Sequence, residues 1–357
     1  MTARSPQVLF SPHQILGLQV PNRIVMAPMT RAYSPGGVPG EDVAAYYRRR
    51  AEGGVGLIVT EGTYPPHPAA GFIPKVPHMY GDAALAGWRR VVEGVHAAGG
   101  RIFSQLWHLG MQASGGSAPL ASVPLVGPSM PPSEIRAVIE AYGAAAANAQ
   151  SVGFDGVEIH AAHGYLVDQF FWEKTNHRTD QYGGSVQART RFGAEVVAEI
   201  RARVGPTFPI ALRFSQFKME DYDARLANTA VELDQFLAPL AAAGVDVFHA
   251  SARRFWEAAF AGSSLTLAGW TRKLTGRSTI AVGSVSLGTD MMTSFGTDDP
   301  SGLDGLDSLL DCMERGEFDL IALGRALIAN PEWPLIVQSG HTDRLQPFRR
   351  AALATLA

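Results

Sequence analysis

Runs of Val, Ile, Leu and Ala alternate along nearly the whole chain with longer, Ala-rich amphipathic stretches. Apolar runs this short and rich in β-branched residues read as strands. Eight are predicted: Arg23 to Met29, Val55 to Glu61, Arg101 to Leu106, Gly156 to His160, Pro209 to Phe214, Val245 to Ala250, Thr279 to Gly283 and Leu320 to Leu323. Between them lie helical stretches such as Glu41 to Gly53, Ala84 to Gly99, Glu134 to Gly153, Ala188 to Val204 and Asn228 to Ala243, several closing on a glycine suited to a helix C-terminus. Eight βα units argue for a (β/α)8 TIM barrel in the α/β class. No Pro/Ser linker or charge block divides the chain, so residues 1–357 are read as one domain. Barrels of this kind take about 250 residues. The surplus leaves room for a short N-terminal cap over about 1–22 and for long loops at about 111–133, 165–187 and 252–264. A doubly wound dinucleotide-binding sheet is disfavoured, because neither a Gly-x-Gly-x-x-Gly turn nor a Walker A motif occurs.

The polar pattern at the strand ends adds chemistry. Thr30, Gln105, His160, Arg213, His249 and Ser251 each follow an apolar run, and in such barrels active sites gather where strands end. The densest case is Val157-Glu158-Ile159-His160-Ala161-Ala162-His163-Gly164-Tyr165, where an apolar strand gives way to two imidazoles, a turn and a phenol. Two donors and a proton source suit an activated carbonyl. Two plainer readings stay open on these residues alone. A His-x-x-His pair is half a metal site, although zinc takes three or four ligands and the His-Glu-x-x-His pattern is absent. Both rings are otherwise structural histidines bonded to backbone.

Composition narrows the class. The 357 residues are 46% hydrophobic and 18% charged, with a formal net charge of −3, an ordinary globular balance with no basic surplus to suggest nucleic acid. Cys312 is the only cysteine, which excludes an intrachain disulfide framework, a four-cysteine iron–sulfur cluster and a cysteine-rich zinc site. There is no long apolar h-region after Met1, and no apolar run reaches the roughly 18 residues of a membrane span. The expectation is a soluble, cytoplasmic protein without membrane partners.

Several segments, in order, resemble the old yellow enzyme family of FMN-dependent ene reductases. They are Leu9-Phe10-Ser11-Pro12, Asn22 to Ala32, Thr60-Glu61-Gly62-Thr63, Gln105 to Gly110, His160 to Tyr165, Gln169-Phe170, Asn176 to Ser185, Arg189 to Phe192, Leu212 to Ser215, Val282-Gly283-Ser284 and Gly324 to Pro331. The resemblance implies non-covalent FMN, with NAD(P)H as hydride donor and an electron-poor alkene as acceptor, handled in turn by one pocket. Gly283 and Ser284 after the seventh strand, with Gly324 and Arg325 after the eighth, fall where such barrels hold a phosphate between backbone N–H groups and a guanidinium. Gln105 matches the uracil-like edge of the isoalloxazine, and Arg213 would face N1 and O2, where a cation stabilises the reduced ring. Thr30 resembles the residue that tunes the ring near O4, while Pro28, Met29 and Gly62 would supply backbone contacts and clearance.

The same resemblance makes His160 and His163 the donors that hold the substrate oxygen, Tyr165 the acid, and Trp107 a shaping residue of the pocket. Two rivals remain: a phosphate-binding barrel lyase or isomerase, for which Lys218 and Glu220 lie too far past their strand, and a non-catalytic flavin-binding module. Two segments depart from expectation. Phe248 to Glu257 is rich in bulky and cationic groups, and the Ser215-Gln216-Phe217-Lys218 turn is unusual. The protein is expected to act as a monomer or homodimer.

Overall fold

The computed structural model describes residues 5–115, 126–288, 298 and 305–356. A small antiparallel hairpin, β1 (His13–Ile15) and β2 (Leu18–Val20), precedes the main sheet. Eight parallel strands then close on themselves: β3 (Ile24–Met26), β4 (Leu57–Thr63), β5 (Arg101–Leu106), β6 (Gly156–His160), β7 (Ile210–Ser215), β8 (Val247–Ser251), β9 (Ser278–Val282) and β10 (Leu320–Leu323). Each strand pairs with the next in the chain, and β10 returns to β3. The expected (β/α)8 barrel is therefore present.

Helices α1 (Glu41–Glu52), α2 (Asp82–Ala97), α3 (Pro132–Ser151), α4 (Leu166–Phe171), α5 (Val186–Val204), α6 (Ala230–Ala243), α7 (Leu267–Thr275), α8 (Leu306–Glu314), α9 (Arg325–Ala329) and α10 (Trp333–Gln338) fill the connections. Local chemistry fixes their ends. Ser185, Thr229 and Thr266 accept from the backbone N–H groups of Ala188, Glu232 and Gly269, while Gly244 and Gly276 close α6 and α7 in the left-handed region.

Strand pleating sorts the side chains into two cores. Val25, Leu57, Val59, Phe103, Ala211, Val247, Ile280 and Leu320 fill the barrel, joined by Ile15 and Val20 of the hairpin. The hairpin thus plugs the barrel from below, which gives the predicted cap a structure. Alternate residues such as Ile58, Val157 and Ile159 point outward against Trp88, Phe192 and Phe236 of the helical layer.

The differences from expectation are local. Strand bounds shift by a few residues at most at any end, and β4 runs past Glu61 through Gly62 to Thr63. The 165–187 segment is not all loop, because α4 occupies its start; all six residues of α4 are buried, so no polar face betrays the helical period. Residues 252–264 hold no helix or strand, and the 111–133 loop lies partly outside the described residues.

Candidate active site

Register places the polar strand ends in one layer. Gln105 pairs with Glu158, His160 with Arg213, and Arg213 with His249. Glu158 is fully buried, its Oε1 accepting from Gln105 Nε2 at 2.8 Å and its Oε2 lying 2.7 Å from His249 Nδ1. Burial alone would raise its pKa, yet His249, Arg213 and Gln105 together hold it below the usual carboxylate range. Burial also pushes His249 down, so the neutral ring donates from Nδ1 to the carboxylate. His249 Nε2 is then a bare acceptor, buried with no partner. One N–H of the Gln105 amide is donated to Glu158, since a carboxylate can only accept, and the amide carries a second N–H and a carbonyl oxygen for the cofactor edge expected of it. Glu158 had a sequence signal, a carboxylate inside the apolar strand Val157-Glu158-Ile159, but no role was assigned to it.

After β6 the chain makes a strained turn. His163 has φ 65° and Gly164 φ 85°, and a left-handed histidine persists only where its surroundings over-determine it. They do. His163 N–H donates to Ser215 Oγ at 3.0 Å, Met219 N–H donates to the His163 carbonyl at 3.3 Å, and Phe217 stacks on the imidazole at 5.1 Å. Gly164 N–H donates to Asp168 Oδ2 at 2.7 Å, and Asp168 Oδ1 accepts from Lys218 Nζ at 2.6 Å in a pair that is wholly buried. The unusual Ser215–Lys218 turn is therefore the prop of His163. Lys218 sits in an ion pair and serves as no Schiff base. Lys218→Met should lower unfolding free energy by about 3–5 kcal/mol because it strands the Asp168 charge, and adding Asp168→Leu should recover much of that loss. Chemical denaturation of the single and double variants measures both, and equal stability of Lys218→Met and wild type would contradict the assignment.

Above this prop the rings converge. His160 and His163 lie edge to face at 5.2 Å, Tyr165 meets His160 at 4.8 Å, and Trp107 meets Tyr165 edge-on at 5.0 Å. Trp107 also stacks on Tyr64, and its indole occupies the place a Cβ on Gly62 would need, so the clearance at Gly62 serves Trp107. Burial pushes both imidazoles well below their ordinary pKa, with Arg213 adding to the effect, so both are neutral. His163 Nε2 and Ser251 Oγ share a hydrogen bond at 2.9 Å, and Ser251 also accepts from Arg213 Nη2 at 3.3 Å. Burial raises the Tyr165 hydroxyl, with Arg213 pulling partly back. Among the described residues no three His, Cys, Asp or Glu side chains gather to hold a metal ion.

One cavity opens beside this cluster, lined by Pro28, Met29, His163, Arg213, Gly283, Ser284, Gly324 and Arg325 among others. It brings together eight of the residues singled out in the sequence. His160, Tyr165 and Trp107 adjoin it through ring contacts, Gln105 and Gly62 lie below the surface, and Thr30 is exposed past the end of β3. Strain clusters here too: besides His163, Ala32 and Ser284 follow barrel strands with φ 55° and 58°. Ser284 Oγ donates to the Arg253 carbonyl at 3.0 Å.

These parts suit FMN. Arg213 Nε and His249 Nε2 are buried polar atoms without protein partners. A Cβ on Gly283 would lie 2.6 Å from the Ala252 carbonyl oxygen, so that turn admits only glycine. A glycine turn beside Arg325 fits a phosphate, and the Pro28–Met29 surface fits a flat ring. Fold and site together define a (β/α)8-barrel flavin oxidoreductase.

The comparisons agree. Residues 8–299 match the model of the NADH:flavin oxidoreductase / NADH oxidase family. The 12-oxophytodienoate reductase 7 of Oryza sativa subsp. japonica is 35% identical over 91% of this chain and 86% of its own length. Two further curated relatives are about twice as long, the chain spanning 50% and 52% of them. Among solved structures, morphinone reductase in complex with tetrahydroNAD superposes with a TM-score of 0.79 at 29% identity, covering 97% of this chain and 93% of that one. The old yellow enzyme homologue from Zymomonas mobilis gives a TM-score of 0.78 at 26% identity, covering 97% and 96%.

The chain belongs to the NADH:flavin oxidoreductase / NADH oxidase family, that of old yellow enzyme. It is an FMN-dependent oxidoreductase of the ene-reductase kind, with reduced nicotinamide as hydride donor.

Proposed function

We propose that the enzyme reduces the C=C bond of α,β-unsaturated ketones, aldehydes, imides or nitro compounds in two half-reactions that share one pocket, with His160, His163 and Tyr165 acting on the alkene. The observation that carries this reading is the pair of neutral, perpendicular imidazoles beside Tyr165 at the end of β6, adjoining the cavity that Arg213 lines. When bound, FMN supplies a two-electron carrier that takes hydride from NAD(P)H and passes it to the alkene β-carbon.

The protein supplies position, charge stabilisation and a proton. Negative charge gathers on the oxygen of the activating group, and imidazole N–H donors fixed in advance stabilise it without reorganising. Ser251, which accepts from Arg213, holds His163 Nε2 in place from outside the substrate. Tyr165, held protonated by burial, gives its proton to the α-carbon. Arg213 would bring positive charge to bound FMN, and Glu158, gripped by His249 and Gln105, would moderate that charge. Gly283, Ser284, Gly324 and Arg325 would hold the phosphate, and Pro28, Met29 and Thr30 the ring. The reading takes the enzyme as cytoplasmic, monomeric or homodimeric, and without nucleic-acid or membrane partners, in keeping with a net charge of −3 and a single cysteine.

Anaerobic titration tests the whole scheme. NAD(P)H should bleach the yellow holoenzyme, and an enone, maleimide or nitroalkene should restore its colour. Colour that persists under both nicotinamides, or that none of the three alkenes restores, would overturn the proposal.

A further inference from the structure

Glu61 is a buried carboxylate that the catalytic reading leaves without a task, and β4 delivers it in an irregular way. Between Val59 and Gly62 this strand takes three steps where β5 takes two, from Phe103 to Gln105. The extra residue makes a bulge. Bulges re-aim side chains at barrel rims, and this one presents Glu61 to the turn after β3. There its Oε2 accepts from the backbone N–H groups of Arg31 at 2.9 Å and Ala32 at 2.8 Å. The bulge is itself fastened. The Glu61 N–H donates to Tyr47 Oη at 2.9 Å, and the Thr60 and Thr63 hydroxyls donate to the Glu61 carbonyl at 3.0 and 3.1 Å.

We propose that Glu61 is a positioning residue for the cofactor: its grip on Arg31 and Ala32 sets the preceding Thr30 against bound FMN and so raises the redox potential of the ring. The inference rests on the flavin reading above, in which Pro28, Met29 and Thr30 serve the ring. The turn needs such a hold. Ala32 has φ 55°, a left-handed backbone that a residue with a Cβ keeps only under constraint. Its side chain packs against the cluster of Tyr64 and Trp107, and the Arg31 guanidinium donates to the carbonyls of Leu353 and Thr355 at 3.2 and 2.6 Å. Thr30 is thus the short link between Met29 in the cavity wall and an anchored pair. Burial raises the Glu61 carboxyl to about 7, while the N–H groups of Ala32 and Arg31 and the Arg31 charge work against that rise. The clamp therefore holds a charge that burial would otherwise extinguish, and hydrogen bonds to a carboxylate are among the strong ones. A hydroxyl fixed as donor at a ring oxygen stabilises the reduced flavin, where negative charge gathers, more than the oxidised one.

The test uses the FMN-loaded enzyme at a pH above that of Glu61 titration and reads the midpoint potential by dye-equilibrated titration. Glu61→Leu removes the acceptor and keeps the bulk. Its preference for reduced over oxidised FMN should fall roughly three- to tenfold, the worth of about one hydrogen bond, seen as a lower potential. Reduction by NAD(P)H should then slow while alkene reduction holds or quickens, a split that general loosening would not produce. Glu61→Gln, whose amide oxygen can accept from both N–H groups, should restore the wild-type potential. Thr30→Ala should lower the potential of wild type and add little in the Glu61→Leu background. If Glu61→Leu does not retain FMN, Glu61→Asp keeps the charge but draws the acceptor back by a methylene, and its potential should fall likewise. A wild-type potential in that decisive variant would overturn the proposal. So would a full Thr30→Ala shift persisting beside it, or a Glu61→Gln potential as low as that of Glu61→Leu, for charge and not the clamp would then be at work. A Thr30→Ala potential unmoved in wild type would strike the placing of Thr30 at the ring, and with it the path proposed here.

Discussion

Replacing Tyr165 with phenylalanine will slow alkene reduction by roughly 10²- to 10⁴-fold and leave reduction of bound FMN by NAD(P)H close to its wild-type rate. The substitution removes one oxygen and keeps the ring, so the contacts with His160 at 4.8 Å and Trp107 at 5.0 Å survive. Only the half-reaction that needs a proton should respond. Because burial lifts the hydroxyl above its ordinary value of 10.0 and Arg213 offsets only part of that, the acid form persists as pH rises. Alkene reduction limited by this proton should therefore stay level from neutral pH up to the ordinary phenol range and decline only beyond it. Stopped-flow traces of the two half-reactions decide the matter, and equal slowing of both would remove Tyr165 from its role.

His160→Ala with His163→Ala should cost more than either alone, on the order of 10² to 10³ in alkene reduction for each donor lost, and should weaken phenolic ligands, whose oxygen takes the place of the substrate's. The two positions differ in what else they carry. His160 ends a regular strand, whereas His163 holds φ 65° in a turn fixed from three sides. Alanine there keeps the strained backbone without its rewards, while asparagine tolerates that region and retains an N–H donor. His163→Asn should thus recover a large share of the activity that His163→Ala loses. Ligand titration of the four variants measures this, and phenol affinity unchanged in the double variant would refute the donor pair.

Fold and site were legible in the sequence to unequal degrees, for physical reasons. A parallel strand buried on both faces is a bare apolar run, so eight of them stood out, with β5, β6 and β10 recovered to the residue. Their polar ends stood out by contrast, which is how His163, Arg213 and Ser251 come into view, while Pro28, Met29, Gly283, Ser284, Gly324 and Arg325 in the same cavity are expected from the family resemblance. Helix α4 did not, because a helix buried all round shows no period. Lys218 lies too far along the chain from its strand to suggest a role. It gains one only because a turn folds it back onto Asp168.

Gln105 shows the limit most clearly. Its amide has two N–H donors and an oxygen, enough to serve a cofactor edge and a carboxylate together, and only the register of β5 and β6, which sets Glu158 opposite, shows that one donor is taken there. The chain's own pattern thus determined the barrel, its apolar layers and which strand ends carry chemistry, since period and polarity are local properties. Tertiary structure alone decided the burial that neutralises the histidines, the ion pair that props His163 and the grip of His249 and Gln105 on Glu158. Each of these depends on distances between residues remote in sequence, and such distances exist only once the barrel has closed.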